Sequence, residues 1–243
     1  YDPVNLILTR GETMDPAVPE VDGGSIETWA IIPELPDGLS FVNGVISGTP
    51  TVNMTTTNFI IYGNNTGGSS VVGLSIKILE PAPTITYQTD SLVLIRGEAM
   101  PSALEAIFGG GAVASFSVDP QLPEGLNFTN GTIFGTPTVN STIVQYNITA
   151  INNGGSDYFL LNITILEPVA ILAADSTEFE LTRNEDYMNL TLNNTGGMVA
   201  TWEISPQLPS GLIFGNGTIT GTPTVNASLE TYTIWANNTG GSD

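Results

Sequence analysis

The sequence predicts an all-β fold, built as three tandem antiparallel β-sandwich domains in a linear array. Three observations support this: a long motif occurs three times, short apolar stretches rich in Val, Ile, Thr and Tyr recur between Gly, Pro and Asn clusters, and helix signals are nearly absent. Several of the stretches alternate apolar and polar residues, as half-buried strands do. Short strands separated by frequent turns are typical of a β-sandwich.

The repeated motif sets the number of domains. Its copies read LPDGLSFVNGVISGTPT, LPEGLNFTNGTIFGTPT and LPSGLIFGNGTITGTPT, and the first glycine of GTPT is Gly48, Gly135 and Gly221, which gives periods of 87 and 86 residues. A period this long describes a whole domain, because solenoid units run to about 20–50 residues. We therefore predict repeat 1 at residues 1–82, repeat 2 at residues 83–169 and repeat 3 at residues 170–243.

Strands and core anchors can be placed within the repeats. The clearest predicted strands are Val4–Thr9, Asn58–Tyr62, Val71–Leu79, Leu92–Ile95, Phe159–Leu166 and Thr231–Trp235. An aromatic residue recurs at one position of the motif's lead-in, as Trp29, Phe116 and Trp202. We expect these rings to anchor the core between the two sheets, since large aromatic side chains dominate core packing.

Two turns recur in every repeat. Asn-Gly, which supplies the positive φ angles of a tight hairpin, stands between apolar stretches at Asn43-Gly44, Asn130-Gly131 and Asn216-Gly217. The sequence NNTGG or NNGG then precedes the last strand, from Asn64, Asn152 and Asn237, and predicts a second turn.

The joints between repeats are short. They read Leu79-Glu80-Pro81 and Leu166-Glu167-Pro168. Because proline fixes its own φ, we expect neighbouring domains to be held semi-rigidly, unlike domains on a flexible Gly/Ser tether.

The composition excludes several classes of function. Twenty-four acidic residues against 4 basic ones give a formal net charge of −20, which argues against nucleic acid and anionic membranes as partners. With no Cys and no His, disulfides are excluded, as are zinc or haem sites with those ligands and Ser-His or Cys-His catalysis. No apolar run approaches the roughly 20 residues of a membrane helix.

The motif LPxGLxF…NGxIxGTPT resembles the Ig-like repeats found in tandem in very large bacterial and archaeal surface proteins, which are related to the cadherin-like domains of dystroglycan type. The resemblance covers all three repeats. It implies an extracellular Ig-like sandwich with an architectural or adhesive task, and no catalytic residue. Such repeats often carry an Asp where this chain has Asn64-Asn65, Asn152-Asn153 and Asn237-Asn238, which weakens any inherited calcium role.

Asn-X-Ser/Thr is the strongest chemical signal. It marks N-glycosylation acceptors and occurs about three times more often than chance placement of these residues would give. The acceptors are Asn53, Asn64, Asn127, Asn130, Asn140, Asn147, Asn162, Asn189, Asn193, Asn216, Asn226 and Asn237. Asn53, Asn140 and Asn226 recur at one position while the middle residue of their sequons varies, which favours a glycan acceptor on a surface loop.

The alternative is that these asparagines are simply turn and strand residues. It is strongest for Asn130 and Asn216, because Asn43 holds the same turn without a sequon.

Three of the four basic residues also share one position, as Arg10, Arg96 and Arg183. Each is followed two residues later by Glu12, Glu98 or Glu185. We interpret them as structural arginines at the end of the first strand, pairing a local carboxylate or capping loop carbonyls. The alternative, a clamp for a ligand carboxylate, would be expected beside an evident pocket.

The acidic residues leave two further alternatives. Calcium at the domain junctions would use Glu12, Asp15, Asp22, Glu80, Glu98, Glu167 and Glu185, but calcium needs several converging carboxylates and no Asp-X-Asp run occurs. A glycosidase needs only a carboxylate pair, yet the acids recur at matching positions only beside the arginines. We therefore predict no metal, no cofactor and no enzyme.

The ends of the sequence fall within repeats. Tyr1 aligns with Tyr87 and Asp243 with Asp157, so repeat 1 lacks the lead-in equivalent to Pro83–Thr86 and repeat 3 lacks its last strand. We expect the chain to be a three-repeat stretch of a longer array, since an unpaired sandwich edge is an aggregation hazard. Strand donation between neighbours is the alternative, although no spare donor strand is visible.

Together these observations predict a structural extracellular protein that forms a glycosylated rod, filament or surface layer on a microbial cell. Its partners would be copies of itself or further repeats of the same polypeptide. Two alternatives are an adhesin that binds glycans or proteins through its loops, and a spacer stalk that presents a distant functional domain.

Overall fold

A computed structural model describes the backbone of residues 1–243 and the side chains of all of them except Met188. All regular secondary-structure elements of the described residues are β-strands. The strands up to the first joint are β1 (Asn5–Thr9), β2 (Met14–Ala17), β3 (Thr28–Ile32), β4 (Leu39–Val42), β5 (Val45–Gly48), β6 (Met54–Asn65) and β7 (Gly68–Leu79). Next come β8 (Pro83–Thr86), β9 (Ser91–Ile95), β10 (Ile107–Gly110), β11 (Ser115–Asp119), β12 (Leu126–Thr129), β13 (Thr132–Gly135), β14 (Ser141–Asn152) and β15 (Gly155–Leu166). The last are β16 (Leu172–Ala173), β17 (Tyr187–Thr191), β18 (Asn193–Asn194), β19 (Thr201–Ser205), β20 (Leu212–Gly215), β21 (Thr218–Gly221), β22 (Thr233–Asn238) and β23 (Gly241–Ser242).

The chain divides into two compact units. Unit 1 contains Tyr1–Gln88, Glu105–Asp119 and Asn147–Phe159, and unit 2 contains Thr89–Leu104, Pro120–Tyr146 and Leu160–Asp243. The division passes through the long strands β14 and β15 of repeat 2, and the three repeat boundaries stay a prediction.

Unit 1 contains a two-sheet sandwich. One sheet has the order β1-β7-β6-β3 and the other β2-β5-β4. The alternation predicted from sequence appears in β7, where every second residue from Leu74 to Ile78 is buried. The side chains buried between the sheets are Ile46, Phe59, Ile61, Leu74, Ile76 and Ile78. β8 and β10 form a separate antiparallel pair in the same unit.

The first strand departs from a purely antiparallel sandwich. β1 pairs in parallel with β7, from Asn5 opposite Ser75 to Thr9 opposite Leu79. In unit 2, β9 pairs in parallel with the end of β15, from Ser91 opposite Asn162 onward. Parallel pairing needs a long connection between the strands, and the rest of the repeat provides it.

Unit 2 also contains hairpins and small sheets from the second and third repeats. β12 pairs with β13, and β20 pairs with β21, which also pairs with β17. β22 lies between β19 and β23, and β16 pairs with β18. The folded elements therefore recur with the period of the sequence motif.

The predicted Asn-Gly hairpins are confirmed. Asn43, Asn130 and Asn216 have φ values of 50°, 49° and 49°, and the following glycines also have positive φ. Asn tolerates this left-handed region better than most residues because its short side chain can bond locally. The second predicted turn is also present, since β6 ends at Asn65 and β7 begins at Gly68.

The recurring aromatic residues pack over these hairpins. Trp29 lies edge-to-face against Phe41 with ring centroids 6.4 Å apart, and Trp202 lies against Phe214 in the same way at 6.1 Å. A Cβ atom added to Gly44 would lie 2.9 Å from the Trp29 indole, so the glycine leaves room for the ring. Trp29 packs against the buried cluster of repeat 1 but is itself only half-buried. Phe116 is half-buried as well and stacks at a tilt on Phe108.

In the sequence, Tyr62 and Trp235 share one position of the repeat, Ala150 replaces them in repeat 2, and strand alternation predicts that they lie in the core. The structure shows that this alignment is wrong by one residue. In the structure the partner of Phe116 across the strand pair is Ala150, just as the partner of Trp202 is Ala236. Trp235 therefore lies on the outward face of its strand, where it is 36% exposed.

Candidate functional site

The joint in unit 1 is fixed first by an ion pair. The Arg10 guanidinium donates from Nε and Nη2 to one carboxylate oxygen of Glu80, at 3.2 and 2.6 Å. The backbone N–H of Arg10 also donates to the carbonyl of Leu79 at 2.8 Å. The pairing raises the pKa of Arg10, chiefly through the side-chain hydrogen bond to Glu80. The end of β1 is thereby bound to the first residue after β7.

An asparagine from the NNGG turn of repeat 2 then binds the proline of this joint. Asn152 Nδ2 donates to the carbonyl of Pro81 at 2.7 Å and to that of Ala112 at 3.1 Å. Its Oδ1 accepts the backbone N–H groups of Gly154 and Gly155 at 2.8 and 3.1 Å. Asn152 is only 9% exposed, so four well-placed bonds compensate its burial.

Glycines bring the backbones of turn and joint close together. A Cβ atom on Gly154 would lie 1.7 Å from the carbonyl oxygen of Glu80, and one on Gly111 would lie 2.1 Å from that of Pro81. Neither space can hold a side chain. The second Asn of the turn, Asn153, accepts the backbone N–H of Glu80 at 2.9 Å. Glycine in NNGG is therefore required for docking the joint as well as for turning the chain.

The joint in unit 2 repeats the ion pair with better geometry. Arg96 donates from Nε to one oxygen of Glu167 at 3.1 Å and from Nη2 to the other at 2.7 Å. This fork-to-fork arrangement is the stronger form of a carboxylate pair. Glu167 is 6% exposed, and the hydrogen bond from Arg96 lowers its pKa, with a smaller contribution from the backbone N–H of Met198.

The turn of repeat 3 binds this second joint as its counterpart binds the first. Asn238 Nδ2 donates to the carbonyl of Pro168 at 2.7 Å and to that of Met198 at 3.1 Å. Thr239 Oγ1 accepts the backbone N–H of Glu167 at 2.9 Å. A Cβ atom on Gly240 would lie 2.0 Å from the Glu167 carbonyl. The same contacts thus occur at both joints, with one threonine in place of asparagine.

These contacts identify the ion-pair partners of two of the recurring arginines. Arg10 and Arg96 pair with carboxylates 70 and 71 residues further along the chain, whereas the nearby Glu12 and Glu98 are not their partners. Both guanidinium groups are paired with carboxylates of the same chain. This favours the structural interpretation over a clamp for a ligand carboxylate. Arg183 is exposed.

The recurring sequon loop is placed where a glycan could be attached. Asn53, Asn140 and Asn226 are all exposed, and each lies in irregular structure after the GTPT segment. Within the described part of the chain their side-chain amides have no hydrogen-bond partner. A glycan on these nitrogens would break no contact of the fold.

The other sequon asparagines divide into three groups. Four have amides engaged in hydrogen bonds with neighbouring side chains, namely Asn64, Asn147, Asn162 and Asn237. Asn130 and Asn216 lie in the hairpin turns with nearly the same positive φ as Asn43. The turn alone is therefore enough to explain an asparagine at these two positions. Asn127, Asn189 and Asn193 lie exposed on short strands.

The residues that sequence reasoning missed are the two turn asparagines that bind the proline carbonyls. From the sequence, Asn152 and Asn238 are predicted only to form turns. The sequence contains one signal for this contact. A Leu-Glu-Pro joint precedes each of the two repeats in which the NNGG or NNTGG turn makes it. Deducing the contact also requires knowing that the joint and the next repeat's turn meet in space.

Acidic residues do not converge in the described part of the structure. No group of three or more Asp or Glu residues there is arranged to hold a metal ion. Glu80 and Glu167, two of the junctional acids considered for calcium, are ion-paired with arginine instead. No described helix is long and apolar enough to cross a membrane.

The fold and the joints define a class of protein, one built from tandem Ig-like β-sandwich domains. A family model described as "Putative Ig domain" matches residues 82–166 and again residues 168–243, and the chain belongs to this family. No curated protein matches the chain.

Solved structures similar to the chain are also arrays of Ig domains. An I-band fragment of titin shares 16% identity at a TM-score of 0.41, covering 98% of this chain and 92% of that one. The eight N-terminal Ig domains of the Down syndrome cell adhesion molecule share 13% at 0.40, covering 98% of this chain and 38% of theirs. Four N-terminal Ig domains of a Dscam1 isoform share 11% at 0.41, covering 66% and 42%.

Proposed function

We propose that the chain belongs to an extracellular structural protein whose tandem Ig-like repeats form a glycosylated rod, filament or surface layer on a microbial cell. The observation that carries the proposal is the recurrence of the same joint contacts in both units. An arginine–glutamate pair and an asparagine–proline carbonyl bond restrain each joint at several points. A protein that needed freely moving domains would gain nothing from such joints.

Surface chemistry supports the extracellular part of the proposal. The net charge of −20 makes copies of the chain repel one another except where specific contacts form. Glycans on Asn53, Asn140 and Asn226 would stand at the same position of every repeat. They would shield the exposed loops from proteases.

Cryo-electron microscopy of the native material tests the assembly. We expect a continuous fibre or layer whose repeating unit contains these domains. Additional density should extend from Asn53, Asn140 and Asn226. Isolated short particles with bare asparagine side chains would contradict the proposal.

Glycopeptide mass spectrometry of the same material tests the modification separately. Peptides containing Asn53, Asn140 and Asn226 should carry glycan. Asn43 is an internal control, because it occupies an exposed turn without a sequon and must be unmodified. Glycan-free peptides at all three positions would remove glycosylation from the proposal without affecting the assembly.

Adhesion is the second candidate, because two aromatic side chains are exposed on outward strand faces. Tyr158 is 60% exposed and Trp235 is 36% exposed. Exposed aromatic rings suit stacking against sugars. A glycan array probed with the chain, and with Tyr158→Ser and Trp235→Ser, tests this. Binding lost in either variant would favour an adhesin over a purely structural role.

A further inference from the structure

The four-stranded sheet of unit 1 has an outward face without acidic residues. Its strands β1, β7, β6 and β3 contain no Asp or Glu, although the chain has 24 of them. The only lysine of the chain, Lys77, lies on β7 opposite Ile7 of the edge strand β1. In a chain with a formal net charge of −20, this sheet therefore carries a single charge, and that charge is positive.

Apolar side chains cover the middle of this face in two neighbouring rows. In the first row Ile32 lies opposite Ile60. In the next row Tyr62 lies between Ala30 and Val71. Ile32 and Val71 are each 58% exposed, and Ile60 is 42% exposed. Side chains directly opposite each other on neighbouring strands are about 5 Å apart, so these five form one continuous patch.

A glycine in the interior of β7 belongs to the same patch. Gly73 lies opposite Ile60, and the pairing of β6 with β7 is regular at this point, so the glycine marks no bulge. Its φ lies outside the left-handed region, and an added Cβ atom would meet nothing within 4 Å. Neither the backbone nor the packing of the described structure requires a glycine here. A glycine inside a strand often marks a place where another backbone approaches closely.

The corresponding face of the other two repeats is largely polar. In repeat 2 the row of Ile60 and Gly73 is occupied by Asp119, Asn147 and Leu160, with Asp119 opposite Asn147. In repeat 3 the same row has Ser205 opposite Thr233. The apolar row is therefore a property of repeat 1 and not of the fold.

The segment that leads into a repeat does not cover this face. The lead-in strands of repeats 2 and 3, β8 and β16, are part of the structure. The residues that form the corresponding row in those repeats are exposed all the same. A lead-in therefore lies away from this side of the sheet.

Charge indicates which partner fits the face. Acid-bearing surfaces of two copies of the chain would bring carboxylates together, and such contacts are unfavourable. Two of these faces can meet without a carboxylate from either sheet. The apolar centre is bordered by polar residues, among them Asn58, Asn64 and Ser75, as in a protein–protein interface.

We propose that the outward face of β1, β7, β6 and β3 binds the same face of a second copy of the chain. The two sheets pack with the isoleucine rows against each other. The backbones at the two Gly73 positions come together near the centre. With the strands of the two copies running in opposite directions, the two Lys77 ammonium groups lie at opposite ends of the contact and do not meet.

The size of the face makes each contact weak. Strands lie about 4.8 Å apart and rise about 3.4 Å per residue, so four strands over five residues cover roughly 300 Å². A standard protein–protein interface buries about 800 Å² on each partner. Neighbouring chains held side by side in a filament or layer would add many such contacts, so that weak pairs together bind firmly.

The inference rests on the proposed structural role only for the place where copies of the chain meet. The pairing itself can be measured without filaments or glycans. A chain that does not pair would leave the filament proposal intact. Native material without filaments would leave a measured pairing intact.

Sedimentation equilibrium of the unglycosylated recombinant chain tests the contact. We expect a monomer–dimer equilibrium in which the dimer becomes populated as the concentration rises toward about 1 mM, the range of weak complexes. Because each copy has a net charge of −20, added salt should strengthen the dimer by screening the repulsion. A chain that stays monomeric at this concentration in high salt would overturn the proposal.

Two glutamate substitutions show whether the dimer uses this face. Ile60→Glu and Ile32→Glu each place a carboxylate opposite its copy in the partner, and each should weaken the dimer more than about tenfold. Both side chains are exposed in the single chain, so circular dichroism should show the parent fold. Ile213→Glu is the matched control, because it adds the same charge at an exposed isoleucine of repeat 3. A dimer that resists both substitutions contradicts the assigned face.

A single cysteine then locates the centre of the contact. The chain contains no Cys, so Gly73→Cys introduces its only thiol, at a place where the added Cβ meets open space. A short bis-maleimide should join two copies through residue 73. Leu160→Cys, at the corresponding position of repeat 2, should give little covalent dimer under the same conditions. Equal cross-linking of the two variants would overturn the proposal, because the copies would then not meet at this face.

The salt dependence also distinguishes a different partner surface. If Lys77 instead binds an acidic region of a second copy, association should weaken with salt and be lost in Lys77→Gln. That result would overturn the face-to-face contact. In the proposed dimer Lys77→Gln should leave the association intact, since the two ammonium groups lie apart at its ends.

Discussion

The joint in unit 1 and the joint in unit 2 are built from corresponding residues but hold their glutamates differently. Arg10 donates twice to a single oxygen of Glu80, whereas Arg96 engages both oxygens of Glu167. The backbone N–H of the glutamate is bound by Asn153 at one joint and by a threonine hydroxyl at the other. The polar partners of the glutamate therefore vary between joints.

The contact to the proline does not vary. Asn152 and Asn238 each donate to a proline carbonyl at 2.7 Å and to a second carbonyl at 3.1 Å. The comparison indicates that the amide–carbonyl contact and its supporting glycines define the joint. The geometry of the ion pair differs between the two joints, so the ion pair is a secondary contact.

Adding one methyl group to the docking glycine should have the largest effect. Gly154→Ala and Gly240→Ala place a Cβ 1.7 and 2.0 Å from a joint carbonyl oxygen, so backbone must move. We expect each to lower the free energy of unfolding by about 3 kcal/mol or more. Urea unfolding followed by circular dichroism measures this.

Gly73→Ala and Gly215→Ala are the matched controls in the two units, because each added Cβ meets open space. Neither should change the unfolding midpoint appreciably. A docking variant as stable as its control would show that the joint backbones are not in tight contact.

Removing the turn asparagines should come next. Asn152→Ala and Asn238→Ala leave buried carbonyl and N–H groups without partners, and we expect a loss of about 2–4 kcal/mol in each. Asn65→Ala is the comparison, because Asn65 binds no proline carbonyl and should cost about 1 kcal/mol. Equal losses of stability at all three positions would contradict a joint-binding role for Asn152 and Asn238.

The ion pair of the second joint should make stability depend on pH. Because the pKa of Glu167 is lowered in the folded state, its contribution is present above its ordinary pKa of 4.5 and is lost as pH falls through the lowered value. We therefore expect Glu167→Gln to be less stable than the parent at pH 7. The gap should close at acidic pH.

Chemical unfolding of both chains between pH 7 and pH 3 measures this gap. Arg96→Met in the Glu167→Gln background should add no further pH dependence. A gap that stays constant over the whole range would show that the carboxylate charge contributes nothing at this joint.

Substitution of the loop asparagines should have the smallest effect on folding. Asn53→Gln, Asn140→Gln and Asn226→Gln alter exposed side chains without hydrogen bonds in the described structure. We expect changes within about 0.5 kcal/mol in the unglycosylated chain. Thermal unfolding of the recombinant chain checks this, and a large loss in any of them would reveal a structural role for that loop.

Local patterns were enough to predict six of the strands, the two recurring turns and the Leu-Glu-Pro joints. Asn43-Gly44 could be placed in a hairpin because positive φ is a property of those two residues alone. The fold class followed from the repeat period and the alternation of apolar residues. The turn and strand signals each lie within about ten residues of chain, and the repeat period is read directly by comparing the copies of the motif.

Contacts between distant residues could not be predicted in the same way. The nearest carboxylate to Arg10 in sequence is Glu12, but the last strand of the repeat brings Glu80 beside it. The sequence alignment that places Trp235 in the core is shifted by one residue. A shift of one residue exchanges the two faces of a strand, so the predicted face of Trp235 is the wrong one. Only the observed pairing of Trp202 with Ala236 fixes that register.

The parallel pairing of β1 with β7 has a consequence for how a repeat bears load. Its five residue pairs run from Asn5 opposite Ser75 to Thr9 opposite Leu79, and the joint follows directly after Leu79. A pull between the segment before β1 and the joint acts at opposite ends of these two strands. All the hydrogen bonds between them are then strained together in shear, and none can be peeled away one at a time.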